Sequence, residues 1–413
     1  MARLISRSGL PAIFSLALAL GACGGSSKAP SIDAGRDAAE HQDAAKPEDA
    51  AEHQDAAKHP DARDDDGAGG SKDASAKDAG GDDAAADAGD LGGCATGLAG
   101  EPTELRCTGL YSDWAAKTVA AANRQYDPGL HLWSDGASKT RWVYLPPGTQ
   151  IDTSNMDEWQ FPKGTKIWKE FALGGTRIET RLIWKQPSGS WYLTTYRWSA
   201  DGTTSTQELT GGATNVAGTS YEIPAQTHCY DCHGGRADIA LGFEAVALSS
   251  PQASGVTMAT LTAEDRLTAP PAKPLTIPGD AATAAALGYL HMNCGTSCHN
   301  RDTGEAGSSS LFMRLDVATL ASPQTTDAYT TGVGANAYFS IPGVAQPLVF
   351  APCSAGSSSA YYRMDHRDGV DGGLGGTQMP PIITHQVDTA GMAQIAAWLN
   401  GFPQCGAADA GRD

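Results

Sequence analysis

The sequence predicts an α+β, multidomain chain. An antiparallel β-rich domain comes first, a mostly α-helical region follows, and a disordered tether precedes both. Three observations predict this. Eight of the nine tryptophans fall between positions 114 and 198, within β-branched and aromatic runs. Two helix-like segments lie beyond position 280, each next to a cysteine-, histidine- or methionine-bearing motif. Between positions 24 and 93 the chain is mostly Ala, Asp, Gly, Lys and His, too polar to offset the entropy lost on ordering.

The N-terminal element comes first. Arg3 and Arg7 precede the apolar run "GLPAIFSLALALGAC", which has the basic start, apolar core and small-residue end of an export signal. It is too short to be a good membrane span. Its last four residues, "LGAC", resemble the lipobox of bacterial lipoproteins. That resemblance implies a signal peptide over 1–22 and an acylated Cys23 as first mature residue. Gly24 in the next position then implies the outer membrane rather than retention in the inner one.

The tether, 23–93, carries "DAAEHQDAAK" twice, at 37–46 and 49–58. Residues 24–93 hold 18 acidic and 7 basic residues, a net −11. A flexible chain of this length reaches roughly 45 Å on average, and its charge extends it. His41, His53 and His59 are read as solvated residues. Removing the tether's −11 and the signal's +2 from the total of −18 leaves −9 for 94–413. That moderate acidity gives no reason to expect nucleic-acid binding. The remaining length is enough for two domains, expected at 94–225 and 226–413.

The β-rich domain is read from its strands. "TRWVYLP", "TKIWKEFAL", "TRIETRLIWK", "SWYLTTYRW" and "TSTQEL" are separated by turn signals such as "QPSG" and "SADG". They predict an antiparallel meander or sandwich. Its tryptophans are read as core and half-exposed sheet faces rather than as a sugar platform.

The cysteines divide by role. Cys229, Cys232, Cys294 and Cys298 each belong to a Cys–His motif. Cys94, Cys107, Cys353 and Cys405 remain, and an exported protein is expected to oxidise them. Of three possible connectivities, Cys94–Cys107 and Cys353–Cys405 are favoured, because each pair lies within one sequence region.

"THCYDCHGG", 227–235, holds the order Cys-x-x-Cys-His. In c-type attachment the two thiols add across the haem vinyl groups and the adjacent histidine binds iron. Cys229, Cys232 and His233 fit that order. A disulfide and half of a four-thiolate zinc site with Cys294 and Cys298 are the alternatives. Zinc gives no reason for a histidine directly after both second cysteines.

"NCGTSCHN", 293–300, spaces Cys294 and Cys298 by three residues instead of two. His299 still follows directly. The extra residue is expected to bulge at Gly295, leaving a variant haem site. A local Cys294–Cys298 disulfide, which leaves one haem, is the alternative. A helix from about Ala281 runs into this motif. Downstream lie "GGTQMPPI", with Met379 before two prolines, and the helix "DTAGMAQIAAWLNGF", capped by Asp388 or Thr389 and stopped by Gly401 and Pro403. Helix, attachment motif, long loop, Met-Pro, helix is the order of a class I cytochrome c-like domain, with its core at about 280–402.

"GLYSD" (109–113), "HLWSDGASKTRWVYLPPGTQI" (131–151) and "FPKGTKIWKEF" (161–171) resemble the N-terminal domain of a family of exported bacterial dihaem c-type cytochromes. So do "LGF" (241–243), "YLHMNC" (289–294), "YYRM" (361–364), "QMPPI" (378–382) and "VDTAGMAQIAAWL". The likeness covers roughly 105–402. It departs in the three-residue spacer and in the short stretch between the motifs. The resemblance implies two haem c groups and electron transfer, and it supplies no substrate.

Iron ligands are then His233 for the first haem and His299 with Met379 for the second. Met258 is the first candidate for the far face of the first haem. His291, Met292, Met364, His366 and His385 are further candidates, and His228 adjoins Cys229 too closely to reach that face. The expected function is a lipid-anchored electron carrier in the periplasm or at the cell surface, with a redox protein as partner. A dihaem peroxidase-like enzyme with one open haem site is the competing class. A structural lipoprotein with vestigial motifs is the third.

Overall fold

The computed structural model describes residues 93–97, 100–301, 306, 309–367 and 377–406. The expected signal peptide, Cys23 and all of the tether except Gly93 lie outside the described residues.

The strands are β1 (Tyr111–Asp113), β2 (Thr118–Val119), β3 (Arg124–Asp127), β4 (Ser138–Tyr144), β5 (Lys166–Leu173), β6 (Thr176–Lys185), β7 (Trp191–Trp198), β8 (Ser205–Gln207) and β9 (Ser254–Gly255). β1 and β2 form a small ribbon, and the other seven form one antiparallel sheet in the order β8-β7-β6-β5-β4-β3-β9. From β3 to β8 this is the expected meander. β9 comes from beyond the first Cys–His motif and pairs Gly255 with Tyr126. A Cβ on Gly255 would stand 2.2 Å from the Gln125 carbonyl oxygen, so only glycine permits this approach.

Two-residue alternation gives the sheet two distinct faces. On one, Trp142, Trp168 and Leu182 stand directly opposite one another. Leu105, Leu110 and Tyr111 cover them, in and just beyond the loop closed by the Cys94–Cys107 disulfide. Trp168 donates its indole N–H to Thr108 Oγ1 at 3.0 Å. Trp198 likewise donates to Thr180 Oγ1 at 3.0 Å, so these two buried indoles are core residues with their polar tips satisfied.

The opposite face carries an apolar row, Val143–Ile167–Ile183–Leu193. Ile239, Phe243, Val256, Met258 and Leu261 pack onto it. These residues follow the first motif in sequence, so the chain from 239 to 267 is part of the sheet's own packing.

The helices are α1 (Cys229–His233), α2 (Ala245–Leu248), α3 (Met258–Ala263), α4 (Ala281–Leu290), α5 (Asp327–Gly332), α6 (Ser359–Met364) and α7 (Thr389–Asn400). Asp280 caps α4 by accepting from Thr283 N–H. Asp388 caps α7 by accepting from Gly391 N–H. α4 and α7 cross where Gly391 lies against the Tyr289 ring. A Cβ there would stand 2.2 Å from a ring carbon. Leu287, Leu290, Ile395, Trp398 and Leu399 fill the core of this half. The Cys353–Cys405 disulfide ties its C-terminal end.

The sheet half and the helical half are joined by partly buried polar contacts. The Asp135 carboxylate accepts the backbone N–H groups of His385 and Gln386. Asn293 Oδ1 accepts Trp133 N–H at 2.6 Å. Glu158 pairs with Arg314 across the same junction. No helix among the described residues is long and apolar enough to cross a membrane.

Candidate functional site

The first motif is a single short helix lying on the apolar face of the sheet. A 3-10 turn, Gln226–His228, leads into α1. Gln226 donates to the Leu193 carbonyl at 2.6 Å, and the Tyr230 hydroxyl donates to the Trp191 carbonyl at 3.3 Å. Both fasten the helix to β7. Cys229 then leans on the cluster built from the Val143–Ile167–Ile183–Leu193 row. His233 Nδ1 lies 2.7 Å from the Ile239 carbonyl oxygen. A carbonyl only accepts, so Nδ1 carries the proton and Nε2 keeps its lone pair.

The second motif reaches the same end by a wider turn. α4 continues into a π-helix, His291–Gly295. Thr296 N–H donates to the His291 carbonyl at 2.8 Å, and His299 N–H donates to the Cys294 carbonyl at 2.8 Å. Both bonds span five residues, one more than in an α-helix. The extra residue is therefore absorbed by turn width, not by a bulge at Gly295. Gly295 has a different duty: a Cβ there would stand 2.4 Å from Arg314 N. His299 Nδ1 lies 3.0 Å from the Leu311 carbonyl oxygen, so its Nε2 is likewise left as the lone-pair nitrogen.

The two motifs touch. The backbone of Gly235, two residues past His233, lies against Ser297 in the second spacer. A Cβ on Gly235 would fall 1.8 Å from the Ser297 carbonyl oxygen. Asn300 donates to both the Gly235 carbonyl (3.1 Å) and the Gly295 carbonyl (3.0 Å). One buried amide thus spans both motifs.

Electrostatics distinguishes these groups from a thiol redox centre. Burial pushes the Cys229 and Cys232 thiols up. Burial, with Cys298 beside it, pushes Cys294 up to about 12. A reactive dithiol needs the opposite shift. Burial also lowers both histidines, His233 to about 4 and His299 in the same direction. Each is a neutral imidazole near pH 7, the form that binds metal. All four motif cysteines are thiols, and no Cys294–Cys298 disulfide is formed. Among the described residues no group of three or more His, Cys, Asp or Glu side chains is placed to hold a metal ion, so the four thiols do not form a zinc set.

Met379 sits in a strap fixed from several sides. Its N–H donates to the Arg363 carbonyl at 2.9 Å, and Arg363 Nε donates to the Thr377 carbonyl at 2.9 Å. Gln378 donates to the Pro380 and Thr384 carbonyls. The Arg363 charge also acts on His299.

The other methionines and histidines fall elsewhere. Met258 begins α3 within the apolar core, 7% exposed, in the cluster that Cys229 leans on. Met292 and Met364 are buried. His291 has both ring nitrogens engaged: Leu315 N–H donates to Nδ1 at 3.0 Å, and Nε2 faces Glu244 Oε1 at 3.3 Å. His366 bonds the Tyr362 carbonyl and stacks on the Tyr362 ring. His385 pairs with Glu222 and His228 with Asp231.

Sequence reasoning missed a set of cations on the sheet. Arg141, Lys169 and Arg181 stand directly opposite one another on β4, β5 and β6, one row from the apolar residues under Cys229. The signal was present as basic residues at alternate positions inside otherwise aromatic strands. A separate cleft of about 750 Å³ is lined by Gly288, Tyr289, Asp388, Gly391 and Lys139 among others, and by none of the motif cysteines or histidines. Comparison with family models, with curated proteins and with solved structures returned no match.

Proposed function

We propose that this chain is a dihaem c-type cytochrome that carries electrons outside the cytoplasm, held to a membrane through acylated Cys23. Cys229 and Cys232 bind one haem, with His233 as iron ligand. Cys294 and Cys298 bind the other, with His299 and Met379 as ligands. The observation that carries this reading is the repeated state of the two histidines. Each follows its second cysteine directly, is neutral, and has Nδ1 committed to a backbone carbonyl downstream. Such a bond fixes ring orientation and tautomer and leaves Nε2 for a metal. Two motifs of different spacing would have no reason to converge on it if they were incidental.

A bound haem supplies an iron that changes by one electron. The rest of the task falls to the protein. The Gly235–Ser297 contact and the shared Asn300 bonds hold the two attachment segments as one body, which favours transfer between the two groups. The crossing of α4 and α7 at Gly391, with the Met379 strap between them in sequence, supports a class I arrangement for the second haem. Raised thiols argue against a thiol–disulfide function.

Intact-mass measurement of the mature protein made with c-type maturation tests the reading. Two haem adducts and a lipid on the N-terminal residue are expected. Replacing Cys294 and Cys298 by alanine should remove one haem and leave the other. A single adduct in the unsubstituted protein would refute the dihaem reading.

A further inference from the structure

The cation row on the sheet has no use so far. Arg141, Lys169 and Arg181 occupy directly opposed positions on three adjacent strands, with Thr195 next in line on β7. Like charges so placed repel and destabilise a sheet. Lys139, two residues before Arg141 on the same face, adds a fourth. Three of them crowd one buried ring: Arg181 stands 4.5 Å, Lys169 5.1 Å and Lys139 5.9 Å from the Phe171 centroid.

Their neutralisation is incomplete. Arg181 is paired to Glu179 through two short bonds. Arg141 has Asp127 at 3.8 Å, and that carboxylate is already engaged by His131 and Gly129 N–H. Among the described residues Lys139 donates to the Leu132 carbonyl and to no carboxylate. Lys169 has no anion within ion-pair distance among the described residues, and Thr195 Oγ1 has no hydrogen-bond partner. Four cations against Glu179, Asp127 and the more distant Asp388 leave an excess of one positive charge. Burial and the neighbouring guanidinium groups hold Lys139 down at about 7 and hold Lys169 well below the usual lysine range. An anion brought to the row would restore both.

The row is also correctly sited for such an anion. It is one strand step from the apolar row that carries Cys229. The Arg181 charge acts on Cys229, Cys232 and His233, and the Lys169 charge acts on Cys232 and His233.

We propose that the Arg141–Lys169–Arg181 row, with Lys139, seats the two propionate carboxylates of the haem held by Cys229 and Cys232. The chemistry required is a pair of carboxylates borne on a flat apolar body. The cation row, partly exposed at Lys169 and Arg181 beside α1, receives the charges, and the apolar row at its edge, covered by Ile239, Phe243 and Met258, closes the site on that side. This rests on the cytochrome reading and goes beyond it. It gives the β domain a task, which is to build one wall of the first haem site.

The test uses the full haem-loaded protein with Lys169→Gln and Arg141→Gln, and Lys163→Gln on an exposed loop as control. Haem adducts are counted by mass. Resonance Raman spectroscopy reads the propionate bending mode, which reports hydrogen bonds to the carboxylates, and a redox titration reads both potentials. With two adducts retained, Lys169→Gln and Arg141→Gln should shift the bending mode and lower one potential, because a nearby positive charge disfavours the ferric state. The control should do neither. Two adducts with unshifted mode and potentials would overturn the inference and leave the cytochrome reading intact. Fewer than two adducts in the unsubstituted protein would overturn both. Should the variants fail to fold, inorganic phosphate added to the unsubstituted protein decides. Seated propionates exclude it and the spectrum stays unchanged, whereas a phosphate-dependent shift would mark the row as an open oxyanion site and overturn the haem assignment.

Discussion

His233 and His299 have the same hydrogen-bond state in turns of different width, and the residues around them say which side chains can be altered. Gly235 is the tightest of these. Its missing Cβ admits the Ser297 carbonyl at a distance no side chain tolerates, so Gly235→Ala should cost about 2 kcal/mol or more. Gly356, with nothing within 4 Å of a built Cβ, serves as control and should change stability by no more than about 0.5 kcal/mol when replaced by alanine. Denaturant midpoints of the two haem-loaded variants check this, and equal midpoints would remove the claim of a close motif contact. On the proposed dihaem reading, Met379 bears on chemistry instead. A thioether favours ferrous iron and raises the potential relative to a second histidine. Met379→His should lower one potential and leave the other nearly unchanged. Met379→Ala should make one haem high-spin. Spectra and potentials unaffected by both substitutions would show that Met379 is not a ligand.

At the scale of the element, the second motif shows how a helix accommodates one residue too many. Thr296 is fully buried, and its hydroxyl donates to the Met292 carbonyl at 3.0 Å inside the π segment. Deleting Thr296 would restore a two-residue spacer. It would also turn Cys298, His299 and Asn300 by about 100° relative to α4. The bonds to Leu311, Gly235 and Gly295 would then be lost together. The deletion is therefore expected to reduce the second haem adduct and lower the unfolding midpoint, despite the more usual spacing. Full attachment at unchanged stability would show that the π turn is dispensable.

At the scale of the molecule, most polar contacts between the two halves are partly exposed, and their pH response follows from a buried one. Glu244 caps α2 by accepting from Val246 and Ala247 N–H and faces His291 from the helical half. Burial pushes its carboxyl up, but the His291 ring, Arg236 and the cap hydrogen bonds outweigh this and hold it well below its usual 4.5. A carboxyl lowered in the folded state stabilises fully above its unfolded value, and that stability is lost as pH falls. The window here runs downward from about pH 4.5 toward 2. Glu244→Gln should cost about 1–3 kcal/mol at pH 7 and flatten the acid limb of the stability profile. An acid limb as steep as that of the unsubstituted protein would assign it to other carboxyls.

Part of this was legible before any coordinates. The strands from β4 to β8 were written in alternation and turn residues. α4 was legible from about Ala281, and α7 carried its cap in Asp388, one of two candidates. The two disulfides followed from an even set of cysteines left over from the motifs. The candidate ligands could be named because attachment chemistry requires cysteine and histidine to be adjacent in sequence. These features are local, and local sequence determines them. Tertiary structure alone decided the rest, because it depends on residues far apart in the chain. β9 joins the sheet from beyond the first motif, so the β core extends past position 225. The Ile239 and Leu311 carbonyls that set the histidine tautomers carry no side-chain signature. Gly235 and Ser297 meet only because two packed cores bring them together. The cation row exists only once three strands are in register, which sets Arg141, Lys169 and Arg181 side by side although each looks like an ordinary surface residue in its own segment.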